Sequence, residues 1–345
     1  MQDVRGEALG EIEGLFGDRL KRRQPGRPAP ELASGLPASA DEVALLARIT
    51  HRYSLPLAAL GAQTTPEKQA REGRVLIRFD LMRGLWLSDA DEPLAEAESG
   101  ALWLELDNEL RVRGRGLTVY PTSAPRATIG GWLAQDGVGV DSFEYGRLSE
   151  NVVSADVVMP DGEHRTVEGD ELRPVVGPGR GIVVRATLQT RRAEEDTPYV
   201  LAFKDHKNLA DAVANIYREG VPLWHLAFLS PEMARIRGLG EDHLIVGAYP
   251  GGRGAAVEDA LREIASAAGG RALSPADAYR VWGERFFPIA PSRPTPVLSE
   301  RTFIRMEEIS ATLERHATQA VQGTVARSGE VLVLAFDPGR EGPAR

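Results

Sequence analysis

The glycines between Ala127 and Gly146 are the feature of this sequence that points most directly to chemistry. The stretch ATIGGWLAQDGVGVDSFEYG contains five glycines in twenty residues and follows the turn-forming stretch YPTSAPR. Glycine costs backbone entropy on folding, so such a cluster is typical of positive φ angles or of close approach between the backbone and another group. We therefore expect another group to lie against this loop.

The composition limits which chemistry this loop can serve. The sequence contains no cysteine, which excludes disulfides, thiol nucleophiles and thiolate-bound Fe–S clusters. Any electron transfer therefore requires an organic cofactor or a partner. The formal net charge is −9 and no basic patch stands out, which argues against nucleic acid as a partner.

The length, the hydropathy and the N-terminal stretch bear on domain count and location. At 345 residues and 42% hydrophobic, the chain can bury a large core and favours two domains. The mixed-charge N-terminal stretch lacks the apolar centre of a signal peptide. No segment approaches the roughly 20 apolar residues that a membrane span needs. We expect a cytoplasmic protein without a membrane span.

The first part of the chain predicts the elements that must position the glycine loop. SADEVALLARITHRYSL places capping residues before helically spaced apolar residues, and PLAALGA and RVLIRFDLM are strand candidates. Two strands and a short helix are expected within LWLSDADEPLAEAESGALWLELDNELRVRG. Pro160, Asp161 and Gly162 predict a hairpin turn, and GIVVRATLQTRR is the last strand of this region.

The second part alternates strands and helices. Each of its two halves predicts a strand followed by a helix. A further strand, or a glycine that ends the helix, comes next, which indicates a ferredoxin-like α+β domain. We interpret SERTFIRMEEISATLERHATQ as one helix before a hairpin centred on Ser328 and Gly329. The predicted fold class is α+β. The predicted segments are an N-terminal helix and connector at 1–27, a first domain at 28–195, a second at 196–337 and a tail at 338–345.

Three stretches in register resemble a known family. They are PASADEVALLARITHRYSLPLAALGA, the long run VYPTSAPRATIGGWLAQDGVGVDSFEYGRLSENVVSADVVMPDGE, and GPGRGIVVRATL. They resemble the FAD-linked oxidases of the vanillyl-alcohol oxidase and p-cresol methylhydroxylase (PCMH) type, most closely the branch of glycolate oxidase FAD subunits and D-lactate dehydrogenases. The resemblance implies a two-subdomain PCMH-type FAD-binding domain followed by a ferredoxin-like cap domain.

The resemblance also implies which residues contact FAD. Adjacent glycines would let several backbone N–H groups approach the pyrophosphate, because no Cβ intervenes. The alternative is that these glycines only close tight turns. The implied FAD contacts are Gly61, Ala62, Gln63, Thr64, Thr65, Pro121, Thr122, Ser123, Thr128, Ile129, Gly130, Gly131, Ala134, Gly137, Tyr145, Gly146, Gly181, Ile182 and Val183.

Two stretches depart from the family's pattern. The first phosphate loop reads LGAQTT and keeps one glycine of the usual two or three, which weakens the expected anion site. It also lacks the histidine that some members use for covalent attachment, so we expect noncovalent FAD. The stretch GPGRGIVV is abbreviated, and its Arg180 either lies in solvent or neutralises a phosphate.

The family resemblance also implies a substrate site. Hydroxy-acid members bind the substrate carboxylate with an arginine in a Trp-x-x-Arg pattern, which Trp282 and Arg285 match here. A planar guanidinium suits a carboxylate. The alternative is an ordinary helix with Trp282 in the core and Arg285 in a surface ion pair.

The metal-binding histidine motif of the D-lactate branch is not found. It should fall near QGTVARSGEVLVLAF, where Thr324 and Leu332 stand, and neither side chain replaces an imidazole. We therefore expect no metal. Among the six histidines, His225 in the apolar run VPLWHLAFL either faces a site or is a satisfied strand histidine.

Three functional hypotheses follow from the resemblance. The first is an FAD-dependent oxidoreductase acting on a small 2-hydroxy acid such as glycolate or lactate, either alone or as the flavin subunit beside an Fe–S or other electron-transfer subunit. The second is a non-catalytic or weakly flavin-binding regulatory subunit of the same fold. The third is an NAD(P)H-dependent reductase like the enolpyruvyl-glucosamine reductases, for which no Ser or Glu constellation stands out.

Overall fold

The computed structural model describes residues 2–22, 31–63, 72–88, 94–177, 181–286 and 296–341. Two compact units divide the chain. Unit 1 contains Met1–Gly114, Ala124–Gly137 and Asn151–Arg191, and unit 2 contains Arg115–Ser123, Val138–Glu150 and Arg192–Arg345. No helix in the described ranges is both long and apolar enough to cross a bilayer.

Unit 1 contains two sheets and four helices, numbered here in chain order over the whole protein. Its elements are α1 (Gln2–Phe16), β1 (Leu20–Arg22), β2 (Glu31–Gly35), α2 (Ala40–Arg52), β3 (Leu57–Leu60), β4 (Arg74–Arg78), β5 (Leu85–Leu87), β6 (Leu94–Glu98), α3 (Trp103–Val112), α4 (Ile129–Leu133), β8 (Val152–Val158), β9 (His164–Glu168) and β10 (Ile182–Arg192).

The two sheets of unit 1 differ in strand direction. The first has the order β1-β2-β4-β3, with β4 parallel to both of its neighbours. The second runs β5-β6-β10-β8-β9 through antiparallel pairs. Strand β2, which precedes α2, contributes the fully buried Ala33 to the core.

Local sequence signals account for several of these elements. The hydroxyl of Ser39 accepts a hydrogen bond from the N–H of Glu42, so α2 begins where the capping pattern predicted. Its face carrying Val43 and Leu46 is fully buried. The β8–β9 turn contains Gly162 at φ +83°, a left-handed conformation that glycine adopts without strain, which confirms the predicted hairpin.

Unit 2 is built on one sheet. Its elements are β7 (Arg115–Leu117), α5 (Ser142–Tyr145), β11 (Asp196–Phe203), α6 (His206–Arg218), β12 (His225–Leu229), α7 (Pro231–Ile236), β13 (His243–Pro250), α8 (Gly254–Ala267), β14 (Arg271–Ala272), α9 (Pro275–Gly283), β15 (Pro296–Arg305), α10 (Ile309–Arg315), β16 (Ala320–Val325) and β17 (Glu330–Glu341).

The strand order β14-β11-β13-β12-β16-β17-β15 begins with the predicted ferredoxin-like arrangement. Strand β13 lies antiparallel between β11 and β12, so the β11–α6–β12 connection is a split βαβ unit. Helices α6, α8 and α10 contribute to the main core of this unit, which includes Phe203, Phe228 and Tyr249. Strands β16, β17 and β15 extend the sheet beyond β12.

The prediction of one long helix at SERTFIRMEEISATLERHATQ was wrong in its first half. Residues Pro296–Arg305 form β15, and only Ile309–Arg315 form the helix α10. The run Thr302, Phe303 and Ile304 is β-branched or aromatic and pairs along β17, from Thr302 opposite Val333 to Ile304 opposite Val331. Pairing with a distant strand outweighs the helical preference of the charged residues around that run.

Candidate functional site

Unit 1 contains a cavity of about 260 Å³. Four parts of the unit contribute to its wall: the end of β3, the residue after β4, helix α4 with its cap, and the stretch leading into β10. The lining residues are Leu57, Ala59, Gly61, Phe79, Thr128, Gly130, Gly131, Ala134, Val175, Gly177, Gly181, Ile182 and Val183. The side chains of this wall are apolar except for one hydroxyl, and five glycines add backbone groups to it, a combination that suits a flat organic ligand.

Gly61 and Gly131 lie against each other in this wall. A Cβ on Gly61 would stand 3.0 Å from the Thr128 hydroxyl and 3.1 Å from the Cα of Gly131. A Cβ on Gly131 would stand 2.9 Å from the same hydroxyl. Neither Gly130 nor Gly131 has a positive φ. The glycines therefore allow two stretches of backbone to approach each other closely, which is the second of the two reasons expected for such a cluster.

The backbone N–H groups of α4 have partners within the chain. Ile129 donates to the carbonyl of Ala101 at 2.8 Å, and Gly130 donates to the carbonyl of Ser99 at 3.0 Å. Gly131 donates to the Thr128 hydroxyl at 3.2 Å, which caps the helix. These three N–H groups therefore help to build the wall, and contact of the paired glycines with FAD stays a prediction.

The structure places eight of the predicted FAD contacts in this wall. In the wall are Gly61, Thr128, Gly130, Gly131, Ala134, Gly181, Ile182 and Val183. Four others are described in unit 1 but do not line the wall: Ala62, Gln63, Ile129 and Gly137. Belonging to unit 2 are Pro121, Thr122, Ser123, Tyr145 and Gly146. Outside the described residues are Thr64, Thr65 and Arg180.

Gly137, Ile129 and Gly146 have packing or turn roles. A Cβ on Gly137 would stand 1.9 Å from the indole nitrogen of Trp132, and Ile129 is fully buried. Gly146 lies at φ +78° against the carboxylate of Glu150. Tight turns and packing, the alternative considered for the glycine cluster, therefore account for these positions.

Sequence reasoning missed five lining residues, and one signal identifies two of them. Leu57, Ala59 and Gly61 alternate along β3 and the residue after it, and alternate residues of a strand share one face. Phe79, Val175 and Gly177 carried no comparable signal, because their strands and turns only meet in the folded unit.

The wall fits the flavin cofactor that the family uses. Both Gly61 and Gly131 line the cavity, so side chains on them would push two stretches of wall apart and narrow the space. The described lining residues include no histidine or tyrosine, and the sequence has no cysteine. Noncovalent attachment stays a prediction.

Unit 2 contains a second, smaller cavity of about 20 Å³, room for about one water molecule. Polar groups gather around it although it lies among strands. Its lining residues are Thr122, His225, Ala227, Leu229, Arg237, Val246, Val281, Trp282, Arg285 and Gln322.

Arg285 follows the end of α9 and is half-buried. Its Nε donates to the Tyr120 hydroxyl at 3.3 Å, and its Nη1 donates to the Trp282 carbonyl at 3.1 Å. The guanidinium carbon lies 5.0 Å from the ring centre of Trp282 and 4.4 Å from that of Phe286. Within the described ranges no carboxylate lies within 4.0 Å of this guanidinium, so it is not in the surface ion pair that was the alternative expectation.

Tyr120 and Trp282, which contact that guanidinium, lie in a buried environment. Both side chains are almost completely buried. Burial, followed by the negative charge of Asp141, raises the pKa of the Tyr120 phenol far above its usual range. The phenol is therefore neutral and serves as a hydrogen-bond partner.

His225 is both a satisfied strand histidine and a lining residue of this cavity. Its Nδ1 accepts from the backbone N–H of Asp141 at 3.4 Å, and its ring centre lies 5.4 Å from that of Trp282. Burial, followed by the positive charge of Arg285, lowers the pKa of His225 to about 3. The imidazole is therefore neutral and carries its proton on Nε2.

The depressed pKa of His225 predicts an acid-sensitive fold. Between the ordinary histidine pKa of about 6.5 and the folded value, only the unfolded chain binds this proton, so stability falls as the pH falls. We expect His225 to contribute about 1.4 kcal/mol per pH unit between pH 6 and 4. Urea unfolding at several pH values measures it, and His225→Asn should show a shallower slope. Equal slopes in both proteins would contradict the assignment.

Sequence reasoning missed two polar residues of the second cavity. Arg237 and Gln322 are each 4% exposed, and the Arg237 Nη2 donates to the Gln322 side-chain oxygen at 2.5 Å. The Arg237 Nη1 also donates to the carbonyl of Glu284 at 3.4 Å. In the described part of the chain, no group of three or more acidic or histidine side chains is placed to hold a metal ion, and Thr324 and Leu332 are buried strand residues.

The sequence comparisons with known proteins match part of this chain. Residues 33–168 match the family described as FAD binding domain. A probable mitochondrial D-lactate dehydrogenase of Danio rerio is 28% identical over 214 residues, which are 57% of this chain and 43% of that protein. The mitochondrial D-lactate dehydrogenase [cytochrome] 1 of Saccharomyces cerevisiae is 25% identical over 232 residues, 61% of this chain and 39% of its own length. This chain thus spans about two fifths of these relatives.

Solved structures share the fold over nearly the whole chain. p-Cresol methylhydroxylase with substrate bound superposes with a TM-score of 0.78 at 12% identity, covering 98% of this chain and 83% of that one. An alkyldihydroxyacetonephosphate synthase gives a TM-score of 0.72 at 18% identity, with 96% and 80% coverage. At these identities the likeness shows the fold, which confirms the predicted α+β PCMH-type architecture.

Proposed function

We propose that this chain, whose residues 33–168 match an FAD binding domain, is an FAD-dependent oxidoreductase that oxidises a small 2-hydroxy acid. FAD is the cofactor of that domain. The glycine-lined wall of unit 1, with Gly61, Thr128 and Gly131 at its closest approach, would hold it. FAD supplies the two-electron oxidation chemistry when it is bound.

The observation that carries the substrate class is the environment of Arg285. A half-buried guanidinium with neutral hydrogen-bond partners and no carboxylate among the described residues leaves its charge uncompensated, which is costly unless an anion joins it. Its planar donors match a carboxylate. D-lactate dehydrogenases among the relatives support a lactate-like acid.

The small cavity beside Arg285 argues for a compact substrate. It has room for about one water-sized group, which is the size of one end of a glycolate or lactate molecule. Neutral His225 and neutral Tyr120 keep the positive charge of Arg285 available to the carboxylate at ordinary pH.

The electrons removed from the substrate need an acceptor outside this chain. The sequence has no cysteine to ligate an Fe–S cluster. We propose that an Fe–S or other electron-transfer subunit, or a soluble acceptor, takes them. Co-purification at native expression levels tests the subunit, and full turnover by an isolated monomer with oxygen would contradict it.

The cofactor itself gives a direct prediction. Purified protein should be yellow, with near-ultraviolet and blue absorption bands, and acid precipitation should release the whole chromophore into the supernatant because its attachment is noncovalent. A preparation that stays colourless during FAD titration would favour the non-catalytic subunit of the same fold. Chromophore that stays in the acid pellet would contradict noncovalent attachment.

A further inference from the structure

The polar groups around the cavity of unit 2 are mainly hydrogen-bond donors. Arg237 and Arg285 are its two charged lining residues, and both carry only donors. His225 presents an Nε2–H, since its Nδ1 already accepts from the Asp141 N–H. A cavity with two guanidinium groups favours an oxygen anion and disfavours an ammonium group.

The orientation of the Gln322 amide is set by Arg237. The Gln322 oxygen accepts from Arg237 Nη2, so the amide nitrogen is the end that remains to donate to a further group. The same guanidinium also reaches the carbonyl of Glu284, the residue before Arg285. Arg237 thus ties β16, which carries Gln322, to the segment that carries Arg285.

We propose that Gln322 is a substrate-binding residue whose amide, oriented by Arg237, donates to an oxygen of the bound acid. Gln322 thereby makes the cavity select a 2-hydroxy acid over the 2-amino acid of the same shape. In this arrangement Arg285 binds the carboxylate, and Arg237 is a positioning residue. The inference rests on the proposed function. It adds the side chain, that of Gln322, which distinguishes a hydroxyl from an ammonium group on the substrate.

Anaerobic titration calorimetry of the protein with its bound flavin chemically reduced, so that glycolate binds without being oxidised, tests the selection with glycolate and glycine as probes. These two molecules are similar in size and differ in a hydroxyl against an ammonium group. We expect glycolate to bind at least about tenfold more tightly than glycine, because two guanidinium groups and a cavity dominated by donors disfavour an ammonium group. Equal affinities in the wild-type protein would overturn the selection.

Substitution of Gln322 tests the residue. Gln322→Met keeps the volume and removes the amide, so the glycolate dissociation constant should rise roughly ten- to a hundredfold. Gln322→Glu places an acceptor in the cavity and should narrow the preference for glycolate over glycine. The exposed Gln189 on β10 gives a matched control, because Gln189→Met should leave both constants unchanged.

The positioning role of Arg237 has its own pair of variants. Arg237→Met should weaken glycolate binding as Gln322→Met does, and Arg237→Lys should recover most of the affinity, because lysine can still donate to the Gln322 oxygen. If Arg237 had only a structural role, Arg237→Lys and Arg237→Met would give the same glycolate dissociation constant when their unfolding temperatures are equal. This pair also keeps the proposal testable if Gln322→Met does not fold.

The outcomes separate the inference from the function on which it rests. Glycolate binding that is equally strong in the wild type, Gln322→Met and Arg237→Met would overturn the inference and leave the proposed function standing. A wild-type protein that binds neither glycolate nor D-lactate would overturn both.

Discussion

Replacing Gly131 with valine is expected to weaken FAD binding strongly. The first added carbon would stand 2.9 Å from the Thr128 hydroxyl, which caps α4 through the Gly131 N–H. The two further methyl groups would enter the contact with Gly61 or the cavity that both residues line. Overpacking of this kind costs roughly 1–3 kcal/mol. If this cost destabilises only the FAD-bound protein, the affinity for FAD falls by a factor of ~5 to 150.

The measurement is the flavin absorbance per protein after purification, followed by FAD titration of the apoprotein. Gly10→Val is the matched control, since a side chain at that position of α1 would meet no atom within 4 Å. The variant should also unfold at a lower temperature than the wild type. A folded Gly131→Val protein with undiminished flavin would show that the wall does not hold the cofactor.

Arg285→Lys is expected to raise the Michaelis constant for the acid substrate roughly ten- to a hundredfold while FAD content stays unchanged. Lysine keeps the positive charge and loses the planar pair of donors, and it also loses the hydrogen bond to Tyr120 and the packing over Trp282 and Phe286. Because the cavity lies in unit 2, the cofactor wall of unit 1 contains none of these residues.

Steady-state kinetics over a range of acid concentrations measures this change. Arg280→Lys is the control, since Arg280 lies on α9, the helix that Arg285 follows, is exposed and pairs with Asp277. An unchanged Michaelis constant in Arg285→Lys would remove Arg285 from the substrate site. A parallel loss in Arg280→Lys would point to the helix as a whole.

Local signals made much of the fold predictable. Ser39 caps α2 through a contact three residues away, and the Pro160–Gly162 turn joins two adjacent strands, so each can be inferred from one short window of sequence. Strand β15 was missed because its partner β17 lies about thirty residues further on and nothing local favours a strand over a helix there.

The site was predictable where one loop builds it and unpredictable where distant segments meet. The α4 glycines were found from their own spacing and from the family resemblance. The Arg237–Gln322 pair joins residues 85 positions apart, and neither has a local pattern. Thr122 also lines the cavity of unit 2 together with Arg285, which no local pattern indicated, and its contact with the flavin stays a prediction.

Anaerobic mixing of the flavin-loaded protein with candidate substrates tests the proposed oxidation most directly. Loss of the blue flavin absorbance reports transfer of two electrons from the substrate, with no need to know the natural acceptor. Glycolate or lactate should bleach the flavin, and uncharged alcohols of similar size should not, because they offer no carboxylate to Arg285. Bleaching by an uncharged alcohol but by no hydroxy acid would contradict both the arginine assignment and the proposed function.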